Sequence, residues 1–482
     1  MSAAIVSGGL AEPLTQGRLT LLSCDDGPPP PLRARLEELA ELPFVDHVLA
    51  LPDLHQKSNA EVPSSLTITT RGTIVPEYTS VAINDGMGVV VTDLEEAGLA
   101  PERIAAFFRA VNASSAPHPL GTNRYSLSAG DLARALVDGA AGVAERYGFE
   151  RDVPPAMESG GRVRVPGPIR SLDEVVPRAL LTSRAARSEM GLNFGGNHFL
   201  EIQVVDSVED SATASRWGLA PGRVVITYHL GPGPFGGTLL HFWTRRAALA
   251  GARVPLFFLA KLWFHGARRG RAASLGRAWR LHFRANGATT YAPLDPEGVR
   301  IRQALAMATN FGFAYRVATL AAIRDGLHET LSSAPGVRLL CDIPHNSLAA
   351  ERGEDGPLWV ARHNACRLEP GRPALVAGAH DVPSWLAVGL EGGDRRVHSY
   401  DHGAGQVIAR WRSAGRLSPQ RESTLRLWLG RGPHAPVRSL ELLPVRASEP
   451  VERVIECFER CGSLARVARL RPLGTLKNQG MP

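Results

Sequence analysis

Apolar and polar residues follow two different periods along this chain, and the two are mixed throughout its length. Apolar residues three or four positions apart predict helices over six segments, which are 33–42, 101–112, 128–147, 238–263, 299–329 (one long helix or a helix pair) and 451–470. Short β-branched runs, typical of strands, occur within 44–94, over 197–205, 223–229 and 338–342, and again from Trp359 onward. Because strands and helices do not alternate regularly, we predict one large α+β domain.

Residues 1–31 show little periodic pattern and end in Gly27 followed by four prolines. A proline run favours an extended backbone without internal hydrogen bonds. We therefore expect a poorly ordered N-terminal tether over residues 1–31 and a folded domain over residues 32–482.

Composition limits the class of protein further. The 482 residues are 44% hydrophobic and 21% charged, as in an ordinary folded protein, which excludes a disordered chain. No run approaches the roughly 18 to 20 apolar residues of a membrane helix, and the start lacks the pattern of a secretory signal. Five scattered cysteines argue against a disulfide framework and a structural zinc site. We therefore expect a cytoplasmic protein with no membrane partner; the cysteines are Cys24, Cys341, Cys366, Cys457 and Cys461.

The net charge is +7 and the sequence pI is about 9.4, which suits an anionic partner such as nucleic acid. Only Lys57, Lys261 and Lys477 are lysines, so arginine supplies nearly all of the positive charge, and this bias also fits a simple compositional origin. Arginines concentrate over residues 268–284, which is either an RNA-facing arm or a solvated helix face. They are Arg268, Arg269, Arg271, Arg277, Arg280 and Arg284.

Four histidines stand in predicted loops beside Gly, Asn or Asp, where ligands and catalytic groups usually lie. Neutral imidazole binds divalent metals such as Mn, Fe and Zn, so a cluster of three or four would form a metal site. Each histidine alone is equally consistent with a hydrogen-bonded structural role, and their spacing matches no short metal motif. The pattern indicates a multi-histidine metalloenzyme as one interpretation; the four are His198, His229, His345 and His402.

The segment after His402 reads Gly403-Ala404-Gly405. Glycines let the backbone approach a ligand closely and can direct N–H groups toward an anion. The chain contains no Walker A motif and no GxGxxG after a predicted strand, which disfavours ordinary P-loop and dinucleotide sites. A histidine directly before this loop, beside Asp401, suggests a nucleophile close to a phosphate.

Several segments together resemble the RtcB family of RNA ligases, in the same order along the chain. The resemblance extends from about Pro52 to Lys477, nearly the whole sequence. The segments are Gly196-Asn197-His198-Phe199-Leu200-Glu201, Asp342-Ile343-Pro344-His345-Asn346 and His402-Gly403-Ala404-Gly405, supported by Pro52-Asp53-Leu54-His55 and Pro472-Leu473-Gly474-Thr475-Leu476-Lys477.

The resemblance implies a single α+β domain that joins an RNA 3′-phosphate (or 2′,3′-cyclic phosphate) end to a 5′-hydroxyl end. It implies GTP and Mn²⁺ as cofactors, and a histidine that attacks the α-phosphate to form a histidine–GMP intermediate. GMP then passes to the RNA 3′-phosphate, and the 5′-hydroxyl displaces it. Activation of this kind makes chemical sense, because a phosphate monoester is a poor electrophile until it becomes a mixed anhydride.

By the same resemblance, His402 is the guanylylated nucleophile, and His198, His229 and His345 bind metal, with Asp85 or Asn84 as further candidate ligands. Glu201, Ser384 and Lys477 correspond to guanine-contacting positions. The full implied guanylate-binding set is Asn197, His198, Phe199, Leu200, Glu201, His345, Asn346, Ala377, Gly378, Ala379, His380, Ser384, His402, Gly403, Ala404, Gly405 and Lys477.

The sequence departs from the family pattern at the metal-binding Asp-x-x-Cys-Gly segment. Met87 occupies the position of the bridging Cys, and Asn84 that of the Asp, with Asp85 one residue along. A thioether is a far weaker ligand than a thiolate. Because two neighbouring cations repel unless anionic ligands lie between them, we predict one tightly held Mn²⁺ ion and a weak second one.

Two other functions share these residues. The first is a non-ligating protein that binds or senses RNA ends and keeps the nucleotide pocket; Met87 and the altered loop His229-Leu230-Gly231-Pro232-Gly233 favour it. The second is a metal-dependent phosphoesterase that uses the histidines without GTP. The sequence leaves the natural RNA and any protein partner open.

Overall fold

The computed structural model describes residues 14–478 with internal gaps. The gaps are residues 25–26, 58–59, 116–122, 150–152, 192–196, 246–252, 267–275, 277–278, 280–287, 332–334, 354–355 and 430–436. The arginine-rich segment 268–284 lies almost wholly outside the described residues.

The described helices are spread along the chain. They are α1 (Pro30–Glu41), α2 (Pro101–Ser115), α3 (Ala129–Asp138), α4 (Ala141–Ala144), α5 (Val153–Ala156), α6 (Arg178–Thr182), α7 (Arg184–Ser188), α8 (Ser211–Arg216), α9 (Gly233–Trp243), α10 (Val254–Gly266), α11 (Pro296–Thr330), α12 (Gly405–Ser413) and α13 (Glu449–Arg460). None of them combines the length and the hydropathy needed to cross a membrane.

The strands form three sheets. The strands are β1 (Leu14–Gln16), β2 (Leu19–Leu21), β3 (Val45–His55), β4 (Ser64–Arg71), β5 (Gly86–Glu95), β6 (Phe199–Val208), β7 (Arg223–Leu230), β8 (Val337–Pro344), β9 (Asn346–Gly353), β10 (Gly356–His363), β11 (Ala365–Arg367), β12 (Pro373–Val376), β13 (Ser384–Gly389), β14 (Ser399–Asp401), β15 (Pro419–Leu429), β16 (Val437–Arg446) and β17 (Leu464–Asn478).

One sheet has the order β1-β2-β3-β4-β10-β9, and a small sheet pairs β11 with β14. The largest sheet has the order β12-β13-β17-β6-β7-β5-β8, with β15 added beside β17 and β16 beside β15. Strands distant in sequence are neighbours in this sheet, so the chain forms one α+β domain with no regular βαβ rhythm, as the pattern predicts.

Helix α11 runs through the core. Its side chains are buried on all faces from Ala304 to Ile323, apart from partly exposed Thr309, because Ala, Gly and Phe let neighbouring elements approach from every side. Gly312 is one such close approach, since a Cβ atom there would lie 2.7 Å from that of Asn84. The segment predicted as one helix or a pair is therefore a single helix.

Most predicted elements are confirmed, and four predictions need correction. The segment 238–263 is not one helix, because α9 ends at Trp243 and Thr244 has an extended backbone, with φ −116° and ψ 173°. The C-terminal helix does not extend to Leu470: it ends at Arg460, Gly462 adopts a left-handed φ of 63°, and strand β17 begins at Leu464. The helix predicted over 128–147 is interrupted at Gly139, whose φ is 60°. Residues 14–21, assigned to the tether, form β1 and β2, and β2 pairs in parallel with β3.

Candidate metal centre and nucleotide pocket

Five adjacent strands bring the candidate residues to one edge of the large sheet. In antiparallel pairs, the end of one strand lies beside the start of the next. Residues paired across the sheet therefore form one row, which reads Lys477, Phe199, His229, Met87 and Ile343. The segments flanking this row carry the remaining candidates, namely Asp85, His198 and His345.

Asp85 lies at the centre of three histidines. Its Oδ2 atom is 3.0 Å from Nε2 of His198, 3.7 Å from Nε2 of His345 and 3.9 Å from Nε2 of His229. The Nε2 atoms of His229 and His345 are 3.2 Å apart. The cluster that linear spacing left open is therefore present, with Asp85 as its carboxylate.

Asn84 faces the opposite direction. Its side-chain amide donates to the Thr309 carbonyl of α11, and its Oδ1 accepts from Arg316 at 3.0 Å. Arg316 also binds both carboxylate oxygens of Asp342, at 2.9 and 2.7 Å, and it is fully buried. The Asn84 backbone is in the left-handed region, with φ 59°, which asparagine tolerates better than most residues. Of the two candidate ligands, only Asp85 reaches the histidines.

The electrostatics of the cluster suit a cation. Burial would raise the pKa of Asp85, but the surrounding histidines outweigh it and hold that pKa well below its usual range. Burial lowers the pKa values of His229 and His345, so both rings are neutral with lone pairs available. The Oδ1 atom of Asp85 is buried without a hydrogen-bond partner among the described residues. One carboxylate and several neutral imidazoles are a donor set that fits a divalent ion.

His402 stacks on His345, with ring centroids 4.6 Å apart and planes 18° from parallel. Its Nδ1 atom lies 3.1 Å from the backbone carbonyl of Asn364. Because a carbonyl oxygen can only accept, Nδ1 carries the proton and Nε2 keeps its lone pair. Burial, assisted by Lys57, lowers the pKa of His402 to about 4. The ring is therefore neutral near pH 7, with Nε2 available as a nucleophile.

The amide groups after His402 have partners within the protein. The Ala404 N–H donates to the Ala377 carbonyl at 2.9 Å. The Gln406 and Val407 N–H groups donate to Oδ1 of Asp53 at 2.8 and 2.9 Å. Asp53 thus caps the first turn of α12. Within the loop Gly403-Ala404-Gly405, the Ala404 amide is therefore already used by the protein.

A cavity of about 200 Å³ opens beside His402. Strand β6 contributes alternate residues to it, so Leu200 faces away into the core, and Ala404 is likewise fully buried. Asn346 is not among the lining residues: its Oδ1 accepts from the Asn364 N–H at 3.0 Å, and its carbonyl accepts from the Asn84 N–H at 2.8 Å. The lining residues are Met87, Asn197, Phe199, Glu201, His229, Ala377, Gly378, Ala379, His380, His402, Gly403, Gly405, Thr475 and Lys477.

One side of the cavity carries a buried carboxyl group, that of Glu201. The Thr475 hydroxyl donates to its Oε1 at 2.6 Å, and the Gln203 amide donates to its Oε2 at 2.6 Å. Burial raises the pKa of Glu201 to about 8. Burial also lowers the pKa of nearby Lys477, and the charge of Glu201 opposes that change. Ser384 lies behind this side, accepting from the Gly378 N–H at 3.0 Å.

Sequence reasoning missed Thr475, Gln203 and Asn364 at this site. A signal existed for the first two, because Thr475 and Lys477 alternate along β17, as Glu201 and Gln203 do along β6, and alternate strand residues share a face. No comparable signal existed for Asn364, because its contribution is a backbone carbonyl.

The fold and the site define a class: a one-domain α+β protein with a histidine–carboxylate cluster beside a small pocket. The family model described as "tRNA-splicing ligase RtcB" matches residues 35–478, and the chain therefore belongs to the RtcB family.

Three relatives named "tRNA-splicing ligase RtcB" show the extent of the similarity. The chain is 27% identical to that of Pyrobaculum aerophilum over 466 residues, covering 89% of this chain and 87% of the relative. It is 26% identical to that of Thermococcus kodakarensis, covering 91% and 89%. It is 26% identical to that of Pyrococcus horikoshii, covering 82% of this chain but 44% of the relative.

Proposed function

We propose that this protein is a GTP- and Mn²⁺-dependent RNA ligase. It joins RNA 3′-phosphate (or 2′,3′-cyclic phosphate) ends to 5′-hydroxyl ends through a histidine–GMP intermediate, in RNA repair or tRNA splicing. The names of the relatives support the ligase class. The observation that carries the proposal is His402, which lines the pocket and whose Nδ1 is held by the Asn364 carbonyl, so that Nε2 carries the lone pair.

His402 acts as the nucleophile in the first step. Nε2 attacks the α-phosphorus of GTP, a P–N bond forms, and the P–O bond to the β-phosphate breaks, releasing pyrophosphate. The Asn364 carbonyl orients the ring and stabilises the positive charge that Nδ1–H gains as the bond forms. The RNA 3′-phosphate then takes GMP from His402, and the 5′-hydroxyl displaces GMP to form the phosphodiester.

The pocket supplies recognition of the guanine base. Glu201 accepts from the base N–H groups, and Lys477 and the hydroxyl of Ser384 act as donors. The loop 377–380 closes the pocket opposite β6, and the backbone pair between Ala377 and Gly403 couples it to the nucleophile. This arrangement supports a ligand-binding role for the residues inferred from the family resemblance.

Mn²⁺ would be held by His198, His229 and His345, with Asp85 as the anionic ligand. The ion would neutralise charge that develops at phosphorus. Asp85 restores one negative charge to a cluster that lacks the family's thiolate. One carboxylate does not offset the repulsion between two divalent ions a few Å apart. One ion would therefore bind tightly and a second one weakly.

Transfer of label from α-³²P-GTP in the presence of Mn²⁺ tests the proposal. We expect the wild type to become labelled, His402→Ala to lose the label, and His328→Ala to keep it. His328 is a matched control because it binds the Pro335 carbonyl near the end of α11, outside the pocket. No label on the wild type, or equal label on His402→Ala, would refute the histidine–GMP intermediate.

A second function, binding of RNA ends without ligation, is favoured by Met87, whose thioether lines the cavity where the family places a thiolate. Incubation with end-labelled RNA that carries a 3′-phosphate and a 5′-hydroxyl distinguishes ligation from binding alone. A circular or joined product supports ligation, whereas a stable complex without product supports binding alone. Loss of the terminal phosphate without GTP would instead indicate a phosphoesterase.

A further inference from the structure

Gln203 lies directly behind the base-recognition side of the cavity. It follows Glu201 by two positions on β6, so both side chains lie on the same face of the sheet. Gln203 is fully buried. Its Nε2 atom donates to Oε2 of Glu201 at 2.6 Å and to Oγ of Ser384 at 3.0 Å. A carboxamide nitrogen has two N–H groups, so both are used within this contact.

These contacts fix the hydrogen-bonding direction of Ser384. Its hydroxyl oxygen accepts from Gln203 and also from the Gly378 N–H, at 3.0 Å in each case. A hydroxyl oxygen has two lone pairs, and both are therefore occupied. The remaining capacity of Ser384 is its own proton, so toward any further partner it can act only as a donor.

Hydrogen bonds from Thr475 and Gln203 favour the ionised, accepting form of Glu201 against the effect of burial. Thr475 and Gln203 each donate to one carboxylate oxygen, at 2.6 Å, and each oxygen retains a second lone pair. By donating to both neighbours, Gln203 thus holds Ser384 as a donor beside Glu201 as an acceptor. Guanine presents a complementary edge, with O6 as an acceptor and N1–H and N2–H as donors, whereas adenine presents an N6 donor beside the N1 acceptor.

We propose that Gln203 is a positioning residue for nucleotide specificity, because it sets Ser384 as donor and Glu201 as acceptor. The inference rests on the proposed function, since it assumes that this pocket binds a guanosine nucleotide. The new element is that the choice of base depends on a residue behind the pocket. Gln203 is not among the residues that line the cavity.

The test is the affinity of wild type and Gln203→Met for GMP, IMP and AMP, measured by calorimetry without any transfer step. Methionine has a similar volume but cannot donate, so Ser384 and Glu201 lose their shared partner. We expect GMP affinity to fall by roughly 10- to 100-fold, the cost of one to two hydrogen bonds to charged or buried groups. AMP affinity should change little, so the ratio of GMP to AMP affinity falls.

IMP lacks the exocyclic N2 donor, and its affinity should fall less than that of GMP. Gln303→Met is the matched control: Gln303 is also buried and donates to the Pro166 carbonyl at 2.9 Å, away from the cavity. It should leave all three affinities unchanged. Gln203→Leu, which likewise cannot donate a hydrogen bond, is the second variant should Gln203→Met fail to fold.

The outcomes separate this inference from the proposed function. A wild type that shows no preference for GMP over AMP would overturn both. A wild-type preference that persists in Gln203→Met, or in Gln203→Leu, would overturn this inference alone and leave guanylylation of His402 intact. A reduced ratio in Gln203→Met with an unchanged ratio in Gln303→Met supports it.

Discussion

Asp85 and Asn84 have different roles at the candidate metal centre. Asp85 supplies the carboxylate that faces three histidines, while Asn84 binds Arg316 and the α11 backbone behind it. Adjacent residues in this turn face opposite directions. A carboxylate at position 85 therefore faces the imidazoles, whereas one at position 84 would face the guanidinium of Arg316. The turn is compact: a Cβ atom at Gly231 would lie 2.5 Å from Oδ1 of Asp85.

Asp85→Asn should reduce the affinity for Mn²⁺ by at least roughly 10- to 100-fold, which is the effect already seen for outer-shell partners of a metal. Moving the carboxylate back, in Asn84→Asp/Asp85→Asn, should not restore affinity, because residue 84 faces Arg316. Calorimetric Mn²⁺ titration of the nucleotide-free protein measures both. Wild-type affinity in the double variant would show that the turn can reverse.

Met87→Cys should increase the metal content from one ion toward two per chain. Met87 pairs with His229 across the sheet and lines the cavity, so a thiolate there would add the negative charge that two neighbouring ions need. Elemental analysis after dialysis measures the ratio. Met157→Cys, at another fully buried methionine, is the control and should stay at one ion. Two ions already bound in the wild type would contradict the charge argument.

Glu201 should make GMP binding depend on pH. Burial raises its pKa to about 8, so below that pH Glu201 is protonated in the free protein. It must lose this proton before it can accept hydrogen bonds from the guanine N–H groups. GMP affinity should therefore rise from pH 6 to pH 8, approaching tenfold per unit well below the pKa, because binding then releases one proton. Glu201→Gln presents an acceptor at every pH and should give a flat profile. A flat wild-type profile would refute this linkage.

At the scale of elements, α11 and β5 support the candidate metal centre from behind. Arg316 of α11 spans from Asp342 at the end of β8 to the Asn84 carbonyl before β5, and the Tyr228 hydroxyl completes the network at 2.6 Å from Asp342. Neither Gly86 nor Gly312 has room for a side chain at this junction. The geometry of Asp85 therefore depends on how closely the helix approaches the strand.

Gly312→Ala should displace the turn that carries Asp85. The added Cβ would lie 2.7 to 2.9 Å from side-chain atoms of Asn84, and overpacking of this kind costs about 1–3 kcal/mol. We expect a lower free energy of unfolding in urea together with weaker Mn²⁺ binding. Gly130→Ala on α3 meets no atom closer than 3.8 Å and should leave Mn²⁺ binding unchanged. Unaltered Mn²⁺ binding in Gly312→Ala would show that the turn is held independently of α11.

Secondary structure was predictable where apolar periodicity was long and uninterrupted, as in α1, α2 and α11. The prediction of secondary structure failed where one glycine changed the direction of the chain. The apolar residues after Gly462 fit a continued helix by spacing, yet β17 pairs there with β13 and β6, and burial in the sheet overrides local helical preference. β1 and β2 were missed because three-residue strands carry too little pattern.

At the scale of the whole molecule, charge is strongly uneven along the chain. Residues 211–294 contain twelve Arg or Lys residues and no Asp or Glu, so the rest of the chain carries 42 cations against 47 acids. The net charge of +7 thus arises from one region of sequence, which includes the arginine-rich segment 268–284. Such asymmetry favours contact with a polyanion.

Replacing Arg268, Arg269 and Arg271 by Gln should reduce the salt dependence of RNA binding. If each contacts a phosphate of single-stranded RNA, the slope of log affinity against log salt should fall by about 2. Filter binding of a labelled RNA between about 50 and 200 mM salt measures the slope. The control replaces Arg33, Arg35 and Arg71, which are paired with carboxylates, and an unchanged slope in the first variant would refute the contact.

The sequence by itself determined the mixed α+β class, the family resemblance and the identity of the chemical groups, because these depend on local patterns and on residue types in order. Tertiary structure decided which groups meet. His198, His229 and His345 are far apart in sequence and converge because β6, β7, β5 and β8 are neighbours in one sheet. It decided that Asp85, not Asn84, faces them, and that a backbone carbonyl orients His402. Contacts of this kind depend on strand register and helix approach, which linear spacing does not encode.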